Sequence, residues 1–223
     1  MAEKATISGK EASKRAGSLL TGLVVLILVV TIALGVIVVR GVLRKPVPRT
    51  AAEREILTWQ EYVNRNPNEP ENHYNLGLAY FSAAQNAKAK DELELAVKLD
   101  KNFFDAYIGL ALILRQEKEY DQAIKELKKV LKKKPDHLKA NFQLGVVYYE
   151  QKKYPRAVKV FNEVLAVQAD AADAHYYLGL SYEKTSQKDL AIVEFKQALR
   201  YVPDYKDAEQ ALKRIQGSEG KKK

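Results

Sequence analysis

Leu76-Gly77, Leu110-Ala111, Leu144-Gly145 and Leu178-Gly179 follow one another at intervals of 34 residues. Each pair is answered, three residues after its small member, by Tyr80, Leu114, Tyr148 or Tyr182. A second ladder, Ala89, Ala123, Ala157 and Ala191, keeps the same step. A period of this length is the mark of a repeat architecture, in which each copy packs only on its neighbours and buries a continuous core by stacking. That constraint acts before local propensity. It points to an extended binding surface and away from an enclosed catalytic pocket.

From Ala51 onward the apolar residues recur at helical spacing, with no sustained alternation that would suggest strands. In the third copy a first helix is predicted from about Leu138 to Gln151, and Lys152 and Lys153 begin a turn. Pro155 then falls in the first turn of a second helix, where a missing N–H costs nothing. Ala157, Phe161 and Val164 share one face of that helix. Pro135 and Pro203 end the second helices of copies two and four, whereas Lys101 and Ala169 give weaker stops in the other two. Stepping back from Lys101 by one period reaches Pro67, which closes a lone helix over 51–66, with Trp59 and Tyr62 expected to pack on the first full copy.

The motif resembles the tetratricopeptide repeat, whose pattern of tryptophan, Leu-Gly, tyrosine, alanine, phenylalanine and proline has this period. The match is fullest at His175, Leu178, Gly179, Tyr182, Ala191, Phe195 and Pro203, and at Asn141, Leu144, Gly145, Tyr148, Ala157 and Phe161. His73, Tyr107, Asn141 and His175 stand where the family often has tryptophan, and Leu93 and Leu127 replace phenylalanine. The resemblance implies an all-α solenoid of helical hairpins at 70–103, 104–137, 138–171 and 172–205, with a capping helix at 206–216 and a frayed tail at 217–223. It also implies a concave groove built by the first helix of each hairpin. Carried onto this chain, the groove positions are Tyr74, Leu78 and Phe81; Ile108, Leu112 and Arg115; Phe142, Val146 and Tyr149; and Tyr176, Leu180 and Glu183. A surface so apolar and aromatic suits a protein or peptide ligand, such as an amphipathic helix or an extended apolar segment. The clamp that some members use for a terminal carboxylate is not expected, since the matched places hold Tyr74, Leu78, Asn75 and Gly109, with Lys139 the only basic residue. The Leu-Gly, tyrosine and alanine ladders are expected to be packing residues.

Ahead of the repeats lies a different kind of chain. Residues 1–17 are polar and expected to be disordered. Leu19 to Val39 is an uncharged run of 21 residues, which as a helix spans roughly 30 Å, the thickness of a bilayer core. A cleaved signal peptide would have a shorter apolar stretch and a small-residue cleavage site, whereas this run meets Arg40, Arg44 and Lys45. A single transmembrane helix over 18–40 is therefore predicted, followed by a linker at 41–50 in which Pro46 and Pro48 resist helix. Basic residues divide almost evenly across the span, and the short N-terminal arm with its free amino group tips the expectation towards repeats on the extracytoplasmic side.

The sequence has no cysteine, so disulfides and thiolate-bound metal are excluded. No HExxH pair, phosphate-binding glycine loop or serine-centred elbow occurs, and His73, His137 and His175 fall at core or turn positions, so neither catalysis nor a cofactor or metal is expected. The net charge of +9 raises nucleic acid as a partner. However, the run Lys125, Lys128, Lys129, Lys132, Lys133 and Lys134 lacks interleaved aromatics, and a solvated helix end or an anionic lipid surface suits it better. Three functional classes fit: a membrane-anchored adaptor, an assembly chaperone that covers apolar client segments, and a self-associating membrane protein. Ser18 and Gly22 favour the last by their small-xxx-small spacing.

Overall fold

The computed structural model describes residues 50–219, with side chains to Gly217, together with Leu26 and Thr31. The predicted transmembrane helix, the N-terminal arm and the terminal lysines lie outside the described residues, apart from Leu26 and Thr31, both of which are helical. Among the described residues no helix is long and apolar enough to cross a membrane.

Among the described residues from Ala51 onward there are ten helices joined by short turns. They are α1 (Ala51–Arg65), α2 (Pro70–Ser82), α3 (Asn86–Leu99), α4 (Phe104–Gln116), α5 (Tyr120–Lys133), α6 (Leu138–Glu150), α7 (Tyr154–Val167), α8 (Ala172–Lys184), α9 (Lys188–Tyr201) and α10 (Lys206–Glu219). Helices α2 to α9 form four hairpins, each a 13-residue helix followed by one of 14. First helices α2, α4, α6 and α8 touch each other in succession, whereas no two second helices make comparable contact. The first helices therefore line the tighter, inner side of the stack. The last helix runs three residues past the predicted end at 216, so Gly217 to Glu219 are helical where a frayed tail was expected.

The repeat is as regular in its backbone as in its sequence. Each first helix ends by donating an N–H five residues back to the carbonyl of Tyr80, Leu114, Tyr148 or Tyr182, at 2.8–2.9 Å. This is the Schellman ending, and it places the next-to-last turn residue in the left-handed region. Here those residues are Ala84, Lys118, Lys152 and Ser186, with φ of 56–64° and no glycine among them. The start of each hairpin is tied down as well. His73, Asn141 and His175 each donate a side-chain N–H to the carbonyl six residues earlier, on Pro67, Pro135 and Ala169, at 2.8–3.0 Å. Both histidines also set Nδ1 against a second-helix carboxylate, Glu92 at 2.7 Å and Glu194 at 2.6 Å. At these three positions a polar side chain thus closes the junction between repeats by hydrogen bonding. Tyr107, the fourth occupant of this position, lies instead under the ammonium of Lys129 at 5.4 Å.

The small residues do the packing expected of them. A Cβ on Gly145 would stand 2.6 Å from Phe161, and one on Gly179 would stand 2.7 Å from Phe195, both partners lying on the second helix of the same hairpin. Thr50 and Glu53 form a reciprocal capping box at the start of α1, which packs Ile56, Trp59 and Val63 on the first hairpin. Tyr62 does not join them. It is 46% exposed and its ring meets the Trp59 ring at 5.2 Å, while Val63, one position on, takes the inward face, and the Tyr62 carbonyl accepts from Asn72 at 3.3 Å. The buried side chains fall into three clusters, centred on α1–α4, on α4–α8 and on α9–α10.

Candidate functional site

The inner surface is made by the side chains that the first helices present to one another. Tyr74 is partly buried and meets Phe103 edge-on at 5.1 Å. Leu78 and Phe81 continue the strip, both partly buried. Leu112, Phe142, Tyr149, Tyr176 and Leu180 are also partly exposed and remain available to a ligand.

Four of the twelve expected groove residues behave differently. Ile108 and Val146 are 0% and 2% exposed, and both belong to the central cluster with Ala140 and Leu144. They lie where α4 and α6 press together, so they form the floor beneath the surface and cannot touch a ligand. Arg115 and Glu183 lie on the inner side but are already engaged. Arg115 donates through Nη1 to Glu150 at 2.6 Å. Glu183 is held by Arg214 of α10 through two bonds, at 2.6 and 3.1 Å. These pairs fasten the second hairpin to the third and the fourth to α10. Lys139, the lone basic residue at a clamp position, is bound to Asp105 at 2.8 Å, and that hydrogen bond holds its ammonium above the usual lysine range.

Sequence reasoning missed Tyr177. Its ring stacks on Phe161 at 5.7 Å and meets Phe142, Tyr149 and Tyr176 within 5.5–5.8 Å. One residue therefore joins three expected site residues into a single aromatic surface, which Tyr205 extends by packing on Tyr176 at 5.2 Å. The same position holds Gly109 and Gln143 in earlier copies, so the sequence displayed its variability but not its direction. Tyr74 and Phe81 are not part of this network and pack on the first cluster.

Burial is the largest cause that raises the phenols here above their ordinary range. Tyr149 is pushed up to about 12, first by burial and then by its neighbours Tyr154, Tyr176 and Glu183. Burial also raises Tyr176 and Tyr177, and Tyr205 is raised by burial together with the hydrogen bond it donates to Asp173 at 2.7 Å. A phenol whose value is raised by folding adds stability that is intact below the unfolded value of 10.0 and is lost as pH climbs through the folded one. Alkaline titration should accordingly show a late tyrosinate phase that coincides with loss of helical circular dichroism. Tyr149→Phe should shrink that phase; an unchanged profile would contradict the assignment.

Three family models described as tetratricopeptide repeat match the chain, at residues 74–137, 114–180 and 173–216. No curated protein matches it significantly. Solved structures do. MamA is 22% identical over 70% of this chain and 97% of its own, with a TM-score of 0.60. YrrB, a tetratricopeptide-repeat protein with an unusual peptide-binding site, is 22% identical over 73% of this chain and 84% of its own, also at 0.60. MamA from Desulfovibrio magneticus RS-1, from residue 41 to its end, is 20% identical over 70% of this chain and 89% of its own, at 0.61. At such identities the likeness establishes a shared fold. Matched without a gap from 74 to 216 by these models and folded as four stacked hairpins, the repeat domain of this chain belongs to the tetratricopeptide-repeat family.

Proposed function

We propose that this protein is a membrane-anchored adaptor that holds a partner protein or peptide against the inner face of its repeats. The observation that carries the reading is the partly exposed aromatic surface of Phe142, Tyr149, Tyr176 and Tyr177, extended by Leu112 and Leu180. Rings fixed by their neighbours lose little rotamer freedom when a ligand covers them, which favours affinity. Arg115–Glu150 and Glu183–Arg214 brace the surface without presenting free charge to an apolar ligand. Peptide binding by YrrB shows what this fold can do, and its transfer here is part of the proposal.

The anchor is the uncharged run Leu19–Val39, in which Leu26 is helical and 61% exposed, a suitable residue to face lipid. Tethering raises the local concentration of the repeats and turns weak contacts into useful avidity. In this reading the repeats lie on the extracytoplasmic side. Crosslinking in intact cells, followed by mass spectrometry, tests the adaptor role. A small set of partners should be recovered with the natural chain and lost with Tyr149→Glu, while the far-ultraviolet circular dichroism stays the same. Retention of every partner by a folded Tyr149→Glu chain would rule out the inner face.

A further inference from the structure

A recess of about 590 Å³ opens where the N-terminal ends of α6 and α8 meet the C-terminal ends of α7 and α9. Leu138, Phe142, Val164 and Val202 give it apolar walls, and Asp170 and Asp173 stand on its rim. Of the expected groove residues only Phe142 reaches it, so it is a second feature at the edge of the stack.

Two observations define what could fill it. The apolar character spills out of the recess: Val202 is 39% exposed, and Val167, the last residue of α7, is 62% exposed. Beyond one ion pair, the charge at the rim is acidic. Lys139, the one basic lining residue, is neutralised by Asp105 at 2.8 Å, while Asp170 has no ion pair among the described residues. Asp136 and Asp204 stand one period before and after Asp170, also exposed, so the edge carries a row of carboxylates beside an apolar hollow. An acidic peptide would be repelled here. An apolar side chain alone would leave Asp170 unanswered, whereas Asp173 already accepts from the Tyr205 hydroxyl at 2.7 Å.

We infer that this recess takes an apolar side chain from a partner segment whose neighbouring residue is lysine or arginine, with the base held by Asp170 and Asp173. The inference rests on the peptide-binding reading above and adds to it a second contact with its own chemistry: the inner face supplies apolar area, and the edge reads sequence by charge. Charge complementarity of this kind contributes mainly to specificity and rate of encounter.

The test uses the full chain in a mild neutral detergent and a short fluorescein-labelled probe peptide, one leucine flanked by lysines in a glycine–serine spacer, followed by anisotropy. Binding should weaken about tenfold in the double variant Asp170→Asn, Asp173→Asn. It should weaken similarly in Val202→Glu, and disappear when glutamate replaces lysine in the probe. Tyr149→Glu should leave probe binding intact, so a failure of the inner-face reading and a failure of this one remain distinguishable. Equal binding of the two probes, no binding of the lysine probe, or indifference to both recess variants overturns the proposal. So does sedimentation showing a dimer that Val202→Glu dissolves without any probe binding, since the occupant would then be a second copy.

Discussion

Phe161→Ala should lower the free energy of unfolding by about 3–5 kcal/mol, the range for removing a fully enclosed aromatic ring. Phe161 is 0% exposed and is enclosed from three directions. Gly145 faces one edge of the ring, Phe142 meets it at 5.9 Å, and Tyr177 stacks on it at 5.7 Å from the next repeat. The two helices around it are held to others by hairpin turns, so the space cannot close fully. Urea denaturation followed by circular dichroism gives the measurement, with a large fall in midpoint expected. A change below about 1 kcal/mol would mean that the site collapses onto the gap, and that the ring is not the keystone its contacts suggest. Because Tyr177 rests on this ring and Tyr149 rests on Tyr177, the same variant should also loosen the proposed binding surface.

The second large effect belongs to the other side of that contact. Gly145→Ala adds a single carbon, but it would stand 2.6, 2.8 and 2.9 Å from three atoms of the Phe161 ring. A ring locked between neighbours cannot give way as a flexible chain would, so overpacking should cost about 1–3 kcal/mol. The chain contains its own rescue. In the second repeat the same pair is Ala111 and Leu127, both buried, so an alanine is accommodated where a leucine faces it. Gly145→Ala combined with Phe161→Leu reproduces that pairing. The double variant should be more stable than the two single losses predict, by about 1 kcal/mol in a double-mutant cycle. Strict additivity would show that the strain lies elsewhere.

The fold was legible because packing in a solenoid repeats with the sequence. Leu178, Gly179 and Tyr182 announce the same helix phase that Leu144, Gly145 and Tyr148 do, and the helices follow it. Phase, however, says which way a side chain points and not what already stands there. Ile108 and Val146 point inward as read, but α4 and α6 close over them. Arg115 and Glu183 were readable as inner residues, while their partners Glu150 and Arg214 lie 35 and 31 positions away. Tyr177 was hidden for a similar reason, since its stacking partner is on the preceding repeat. The left-handed turn at Ala84, Lys118, Lys152 and Ser186 gave no signal at all, because no glycine marks it. Charge was misleading in a simpler way. Eight basic residues against Glu3 and Glu11 before Thr50, with Lys221 to Lys223 at the end, account for all of the +9. The repeat domain itself is balanced, which removes the composition argument for nucleic acid from that part of the chain.

The third cluster of buried side chains is small: Ala191, Phe195, Ala211 and Ile215, at the C-terminal end of the stack. Tyr176 and Leu180 of the proposed surface pack on this cluster, and Tyr205 of the recess touches Tyr176. With so little apolar area enclosed in this cluster, a ligand on the proposed surface would add to the burial around the last hairpin and α10. A ligand that binds only the folded form adds stability in proportion to the logarithm of its concentration over its dissociation constant. If the proposed surface binds its partner, recognition and folding are linked at this end of the protein, and occupancy would be registered as the firmness of its final two helices.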